Sequence, residues 1–241
     1  MSLPLLPQTR TASEDSFVQG VKDCIPTLLG YMSIGFAFGI VGISSNLSIL
    51  EVALLSILVY AGSAQFIICA LLVTSTPASA IIFTTFIVNL RHFLLSLTVA
   101  PYLTRYSLPQ NIGFGALLTD ETFGVAASRI AGQGKLNNRW MNGLNITAYL
   151  CWIAACTLGA VSGQWISNPE ALGLDFALVA MFAALLVLQL QSTPKNKLTH
   201  RLSLVLYMII SMIILSSLLP SHVAVLISTI VVATIGVVTD R

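Results

Sequence analysis

Charge is what this chain has least of. Asp, Glu, Lys and Arg make up 8% of its 241 residues, where a soluble domain carries about 25%. The formal net charge is only +2. No basic patch is interleaved with aromatics, so nucleic acid is not an expected partner. Cysteine is also sparse. Cys24, Cys69, Cys151 and Cys156 form no CxxC pair, and the last three lie in apolar runs, where cysteine packs as a small hydrophobe. Neither a structural disulfide nor a metal is expected, and no cofactor. A phosphate loop is missing too, because Gly132-Gln133-Gly134-Lys135 lacks the required spacing. The longest polar loops, near 131–142 and 192–202, are too short to hold a nucleotide-binding domain.

In place of charge the chain has apolar length. Hydrophobic residues are 56% of it and its mean hydropathy is +0.90, which puts it in the polytopic membrane class. Eight apolar segments stand out, roughly 25–44, 50–73, 78–100, 112–130, 143–163, 174–191, 203–219 and 222–238. The fold expected is all-α, with about eight transmembrane helices. Residues 1–24 read as a cytoplasmic N-terminal segment and 25–241 as a single transmembrane transport domain. Residues 1–19 lack the apolar core of a signal peptide, so the first segment is expected to act as an uncleaved insertion signal.

Basic residues test the count. With eight spans and a cytoplasmic N-terminus, Arg10, Lys22, Arg129, Lys135, Arg139, Lys195, Lys197, Arg201 and Arg241 all fall inside. Only Arg105 falls outside, and Arg91 lies within the membrane. This asymmetry matches the positive-inside rule and places both termini in the cytoplasm. Asp23 before the first span and Asp175 at the start of the sixth are a faint trace of an inverted repeat.

Against this background the polar residues at depth are conspicuous. The third segment carries Asn89, Arg91 and His92 near its midpoint, where an Arg costs roughly 2.5–3.5 kcal/mol on insertion scales. Its planar fork suits a carboxylate, either a substrate's or that of Asp120 or Glu121 in a helix-fixing ion pair. His92 is a candidate proton carrier or a satisfied hydrogen-bonder. The second segment reads Tyr60-Ala61-Gly62-Ser63-Ala64-Gln65-Phe66 across its middle. Small residues there permit close helix packing. Gln65 needs partners, and Gly62-Ser63 can let the helix break and expose N–H groups to a carboxylate. The fourth segment is interrupted by Thr119-Asp120-Glu121-Thr122. Two adjacent acids at depth must be paired or protonated. If one neutralises Arg91, the other is left for an ammonium or a proton. Asp23 reads as an N-cap. Aromatic residues around these groups, Tyr31, Phe36, Phe38, Tyr60, Phe66, Phe86 and Phe123, are packing or the lining of an apolar side-chain pocket.

These stretches resemble the AzlC family, the large subunit of branched-chain amino acid exporters. The matching residues are Gly20-Val21-Lys22-Asp23 with Pro26, Phe36-Ala37-Phe38-Gly39, Tyr60 to Phe66, Arg91-His92, and Leu118 to Phe123. The resemblance runs from about Gly20 to the C-terminus. It implies a bacterial cytoplasmic membrane protein that exports valine, leucine and isoleucine, sometimes methionine or toxic analogues. It also implies proton coupling and a small membrane partner of the AzlD family. The expectation is therefore a secondary transporter, not an enzyme. Gly62, Ser63, Gln65, Asn89 and Arg91 are the substrate-binding candidates, and His92, Asp120 and Glu121 the proton-coupling or ammonium-binding ones. The rival expectations are a passive channel or structural subunit, and an intramembrane enzyme using His92, Asp120 and Glu121, for which no HExxH or Ser/His spacing is present. Oligomeric state is open.

Overall fold

The computed structural model describes residues 15–166, 173, 176, 179–180, 183, 186–187, 190, 195–219 and 221–239. Among them the secondary structure is helical and no strand occurs. The described residues fall into two compact units, one within Met1–Leu178 and one within Val179–Arg241. Most of the sixth apolar segment, 174–191, and with it Asp175, lies outside the described residues.

Among the described residues four helices are long and apolar enough to cross a membrane: Phe17–Ser44, Ala78–Tyr102, Asn138–Gly163 and Asn196–Ser216. In chain order the first unit contains α1 (Phe17–Ser44), α2 (Ile49–Leu58), α3 (Gly62–Val73), α4 (Ala78–Val99), α5 (Leu108–Ala116), α6 (Asp120–Gln133) and α7 (Asn138–Gly163). A 3₁₀ turn, Ala100–Tyr102, extends α4. The second unit holds α8 (Lys195–Ser216) and α9 (Ser221–Thr239). These two pack on each other, with Ser211 Oγ donating to Ser228 Oγ at 3.0 Å.

The first helix starts well before its apolar run because Ser16 caps it, accepting from the Gln19 N–H at 3.1 Å. Asp23 is therefore inside the helix and is not its N-cap. The frame of the unit is the close pairing of α1 with α7. A Cβ on Gly39 would sit 2.1 Å from the Cys156 carbonyl oxygen, and one on Gly159 would sit 2.1 Å from that of Phe36. Gly20 against Trp140 and Gly143 against Phe17 repeat the relation nearer the helix starts. Low residues meet low and high meet high, so the two helices run parallel. The motif responsible is GxxxG, present as Gly35/Gly39 and as Gly159/Gly163.

Two of the expected spans are not single crossings. Segment 50–73 breaks at Val59–Ala61 and turns back. Gln65 in α3 donates to Ser56 in α2 at 3.2 Å, and Leu47 and Glu51 at the head of α2 share a groove with Leu72 near the end of α3. The break falls next to Gly62-Ser63, where one was expected, and α3 begins at Gly62 itself. It rests on Tyr60, a non-glycine residue at φ 39°. The Tyr149 hydroxyl donates to the freed Ile57 carbonyl at 2.9 Å, and the Tyr149 ring meets Tyr60 edge-on at 4.8 Å. Gly62 is needed for another reason: a Cβ there would meet the Trp152 indole at 2.9 Å.

Segment 112–130 breaks at Leu117–Thr119 and also turns back. Arg105 and Tyr106, before α5, both donate to the Leu136 carbonyl, just after α6. The Asn138 N–H in turn donates to the Tyr106 hydroxyl at 3.0 Å. The start of α5 and the end of α6 thus lie at the same end of the unit. That end also holds the starts of α1 and α7, where Arg129 of α6 pairs with Asp15 at 2.9 Å and with Asp23 at 3.5 Å. Arg105 therefore stands with Lys22, Arg129, Lys135 and Arg139, not opposite them as the span count had it. A long helix followed by a short pair occurs twice, as α1–α3 and as α4–α6, with the two pairs entering from opposite ends. This inverted relation is not the one that Asp23 and Asp175 suggested.

Candidate functional site

The tips of the two returning pairs meet beside the midpoint of α4. Arg91 Nη1 lies 2.9 Å from Asp120 Oδ2 at the start of α6, and its Nη2 donates to Ser63 Oγ at 2.8 Å at the start of α3. One guanidinium thus bridges both tips. Its pair with Asp120 is about a quarter exposed on each side (26% and 25%), so it is reachable.

The two tips differ in charge. At α6, Thr119 and Thr122 form a capping box, and Asp120 and Glu121 occupy the first turn, where the helix dipole favours negative charge. The apolar run is interrupted there because the backbone needs a cap at that point. At α3 the N-cap is Ala61, which supplies no side-chain acceptor. The α3 tip therefore presents uncapped N–H groups beside a cation, and the α6 tip presents carboxylates.

Each tip is also anchored to the α1/α7 frame. Gln65 is fully buried. Its amide donates to Ser56, and its carbonyl accepts from Trp152 Nε1 at 3.0 Å. Trp152 meets the Tyr31 ring edge-on at 5.2 Å. The Tyr31 hydroxyl is hydrogen-bonded to Thr119 and donates to Glu121 Oε2 at 3.2 Å. His92 Nδ1 donates to the Leu118 carbonyl, at 2.9 Å, inside the α5/α6 turn.

Of the residues expected at the site, Ser63, Arg91 and Asp120 are joined directly, and Gly62 adjoins Ser63. Gln65 and Glu121 are linked to each other through Trp152 and Tyr31. His92 touches the α6 side of the break. Asn89 stands apart: it lies about 160° around α4 from Arg91 at 3.6 residues per turn. Trp152, Thr119 and Ser56 were not among the expected residues, and Tyr31 was expected only as packing or lining. A mid-helix indole N–H that must find a partner was the available signal for Trp152, and Thr-x-x-Thr was the signal for the α6 cap.

A second polar cluster closes the end where α1 and α7 begin. Asp23 accepts from Trp140 Nε1 at 2.8 Å and from Gln19 Nε2 at 2.7 Å. The Arg129 guanidinium lies over the Trp140 ring at 4.4 Å.

The family model described as AzlC protein matches residues 26–166. This chain belongs to the AzlC family. The match takes in every residue of the site, from Tyr31 to Trp152. The chain is 28% identical over 182 residues to the inner membrane protein YgaZ of Escherichia coli strain K12, covering 73% of this chain and 74% of the relative. It is 30% identical over 173 residues to an uncharacterized membrane protein of Archaeoglobus fulgidus, covering 71% and 74%. It is 25% identical over 174 residues to the branched-chain amino acid transport protein AzlC of Bacillus subtilis strain 168, covering 71% and 67%. No solved structure matches the chain. That the Escherichia coli and Archaeoglobus fulgidus relatives are named as membrane proteins agrees with the four long apolar helices among the described residues.

Proposed function

We propose that this chain is a secondary transporter that exports branched-chain amino acids across the bacterial cytoplasmic membrane. The observation that carries the reading is the bridge from Ser63 through Arg91 to Asp120 between two helix tips at the middle of the unit. A zwitterion fits this polarity. Its carboxylate would exchange with Asp120 on the Arg91 fork and meet the uncapped N–H groups of Gly62 and Ser63. Its ammonium would meet Asp120, once released, or Glu121. The fully buried Gln65 amide, spent on Ser56 and Trp152, holds the α3 tip in place.

In this reading α1, α4 and α7 each cross once, as do α8 and α9, while the α2/α3 and α5/α6 pairs turn back. The end that gathers Lys22, Arg105, Arg129, Lys135 and Arg139 faces the cytoplasm, with both termini on that side. Transport is coupled to protons, and a small membrane subunit of the AzlD type completes the exporter. The name of the Bacillus subtilis relative supports the substrate class.

The test is counterflow of labelled leucine in proteoliposomes, with the chain alone and with the small subunit. Accumulation into leucine-loaded vesicles, suppressed by excess valine, supports a branched-chain carrier. Activity with the subunit alone added back assigns the path to both chains. Uptake that neither saturates nor shows counterflow replaces the carrier with a channel.

A further inference from the structure

α4 has a second polar face, of which the site uses only His92 Nδ1. Thr85, Asn89, His92 and Ser96 recur at spacings of four, three and four and fall within about 60° of one another around the helix. Arg91 is about 100–160° away from each of the first three. Thr85 Oγ1, Asn89 Oδ1 and His92 Nε2 are buried atoms that find no hydrogen-bond partner among the described residues. Ser96 carries the stripe on toward the α5 side, where a Cβ on Gly115 would lie 3.4 Å from its Oγ. A buried polar group without a partner is costly, and three in a row on one helix call for small, mobile partners such as water.

We propose that this stripe is the path of the coupling proton, with His92 Nε2 as the carrier, on a face of α4 separate from the one where Arg91 holds the substrate. The proposal rests on the transport reading above. His92 Nδ1 keeps its hydrogen on the Leu118 carbonyl, which leaves Nε2 as the acceptor. One N–H bond forms when Nε2 takes a proton from hydronium in the stripe. The same bond breaks when the proton returns to water on the other side. No electron is exchanged, and the ring alternates between neutral and +1. Charging the ring strengthens its hydrogen bond to Leu118, in the turn that positions Asp120, so the proton's presence is felt at the substrate pair. The titratable groups on elements packed against α4 are Asp120, Glu121 and Arg129 of α6, Cys69 of α3 and Tyr102 of the 3₁₀ turn. Asp120 is held by Arg91, and Glu121 by Tyr31.

The experiment compares wild type with His92→Gln, Asn89→Leu and Thr85→Val in proteoliposomes. It reads leucine counterflow at equal pH and leucine accumulation driven by a pH gradient. His92→Gln should lower gradient-driven accumulation, relative to its own counterflow, by roughly tenfold or more. Asn89→Leu and Thr85→Val should slow gradient-driven uptake and leave counterflow intact. Gradient-driven uptake at the wild-type level in His92→Gln, or in both of the other variants, overturns the proposal. So does a wild-type protein that shows counterflow but no response to the gradient. Absence of wild-type counterflow counts against the transport reading instead. A second measurement stands apart from transport. The chain has three histidines, so the 15N signal lost in His92→Gln identifies this ring. Its Nε2 should be hydrogen-bonded to water in the lipid-embedded chain, and an Nε2 sealed from water overturns the proposal.

Discussion

Arg91 is both a structural clamp and the candidate substrate ligand, and the two roles separate by double substitution. Arg91→Gln alone leaves Asp120 without its cation inside the membrane. Removing one member of a buried pair costs about 3–5 kcal/mol, and less for a pair partly open to solvent. Adding Asp120→Asn should recover most of that stability, read as thermal unfolding in detergent. Leucine counterflow should stay abolished in the double variant. Recovery of transport along with stability would mean that the pair only packs helices. Gln65 gives a contrasting case. Gln65→Leu strands the Trp152 indole N–H in a dry core, which costs about 1–3 kcal/mol. The α3 tip should loosen, and the apparent affinity for leucine should weaken more than the maximal rate. The need of Gln65 for partners was legible from its depth in an apolar run. Which partners it has was not, because Ser56 and Trp152 reach it only after α2 folds back on α3 and α7 packs alongside.

The α1/α7 pairing depends on the absence of side chains at a few positions. Gly39→Leu and Gly159→Leu would each drive a side chain into a backbone carbonyl that lies 2.1 Å from an ideal Cβ. Overpacking of this kind costs roughly 1–3 kcal/mol or more and should lower the unfolding temperature and the yield of inserted protein. Gly124 in α6 is the control, since nothing lies within 4 Å of its Cβ position. Gly124→Ala should be neutral or stabilising by up to about 1 kcal/mol, from helix propensity and unfolded-state entropy. A Gly124→Ala variant as damaged as Gly39→Leu would refute the close approach as the cause. The helix breaks show the same dependence on neighbours. Thr119 and Thr122 announce the α6 start locally, whereas the α2/α3 break is fixed by Tyr149 and Trp152 from a helix far along the chain.

For the whole molecule the decisive quantity is the number of crossings. Turning two expected spans into returning pairs changes sidedness twice, so every basic loop after the second pair keeps its side. Only the loops at 74–77 and 101–107 change. The charge count therefore could not distinguish the two arrangements except at Arg105, the one residue it left on the wrong side. Single cysteines at Asn46, Ser75, Arg105 and Lys135, in a background freed of the four native cysteines, separate them. An impermeant thiol reagent should label positions 46 and 75 from one face and positions 105 and 135 from the other. An arrangement of eight crossings instead puts 46 opposite 75 and 105 opposite 135.

Composition and pattern alone determined that this is an all-helical membrane protein. With so few charged side chains and such long apolar runs, the backbone must satisfy itself within helices in lipid. The same reading located Arg91, Ser63 and Asp120, because polar groups at depth are costly and so stand out from their surroundings. Only the tertiary structure decided that Asp120 and not Glu121 meets Arg91, that Asn89 faces away from it, and that two apolar segments turn back halfway. Hydropathy measures how much of a segment tolerates lipid, not whether its two ends lie on the same side. That is settled by contacts between residues far apart in sequence, such as Arg105 with Leu136 and Tyr149 with Ile57.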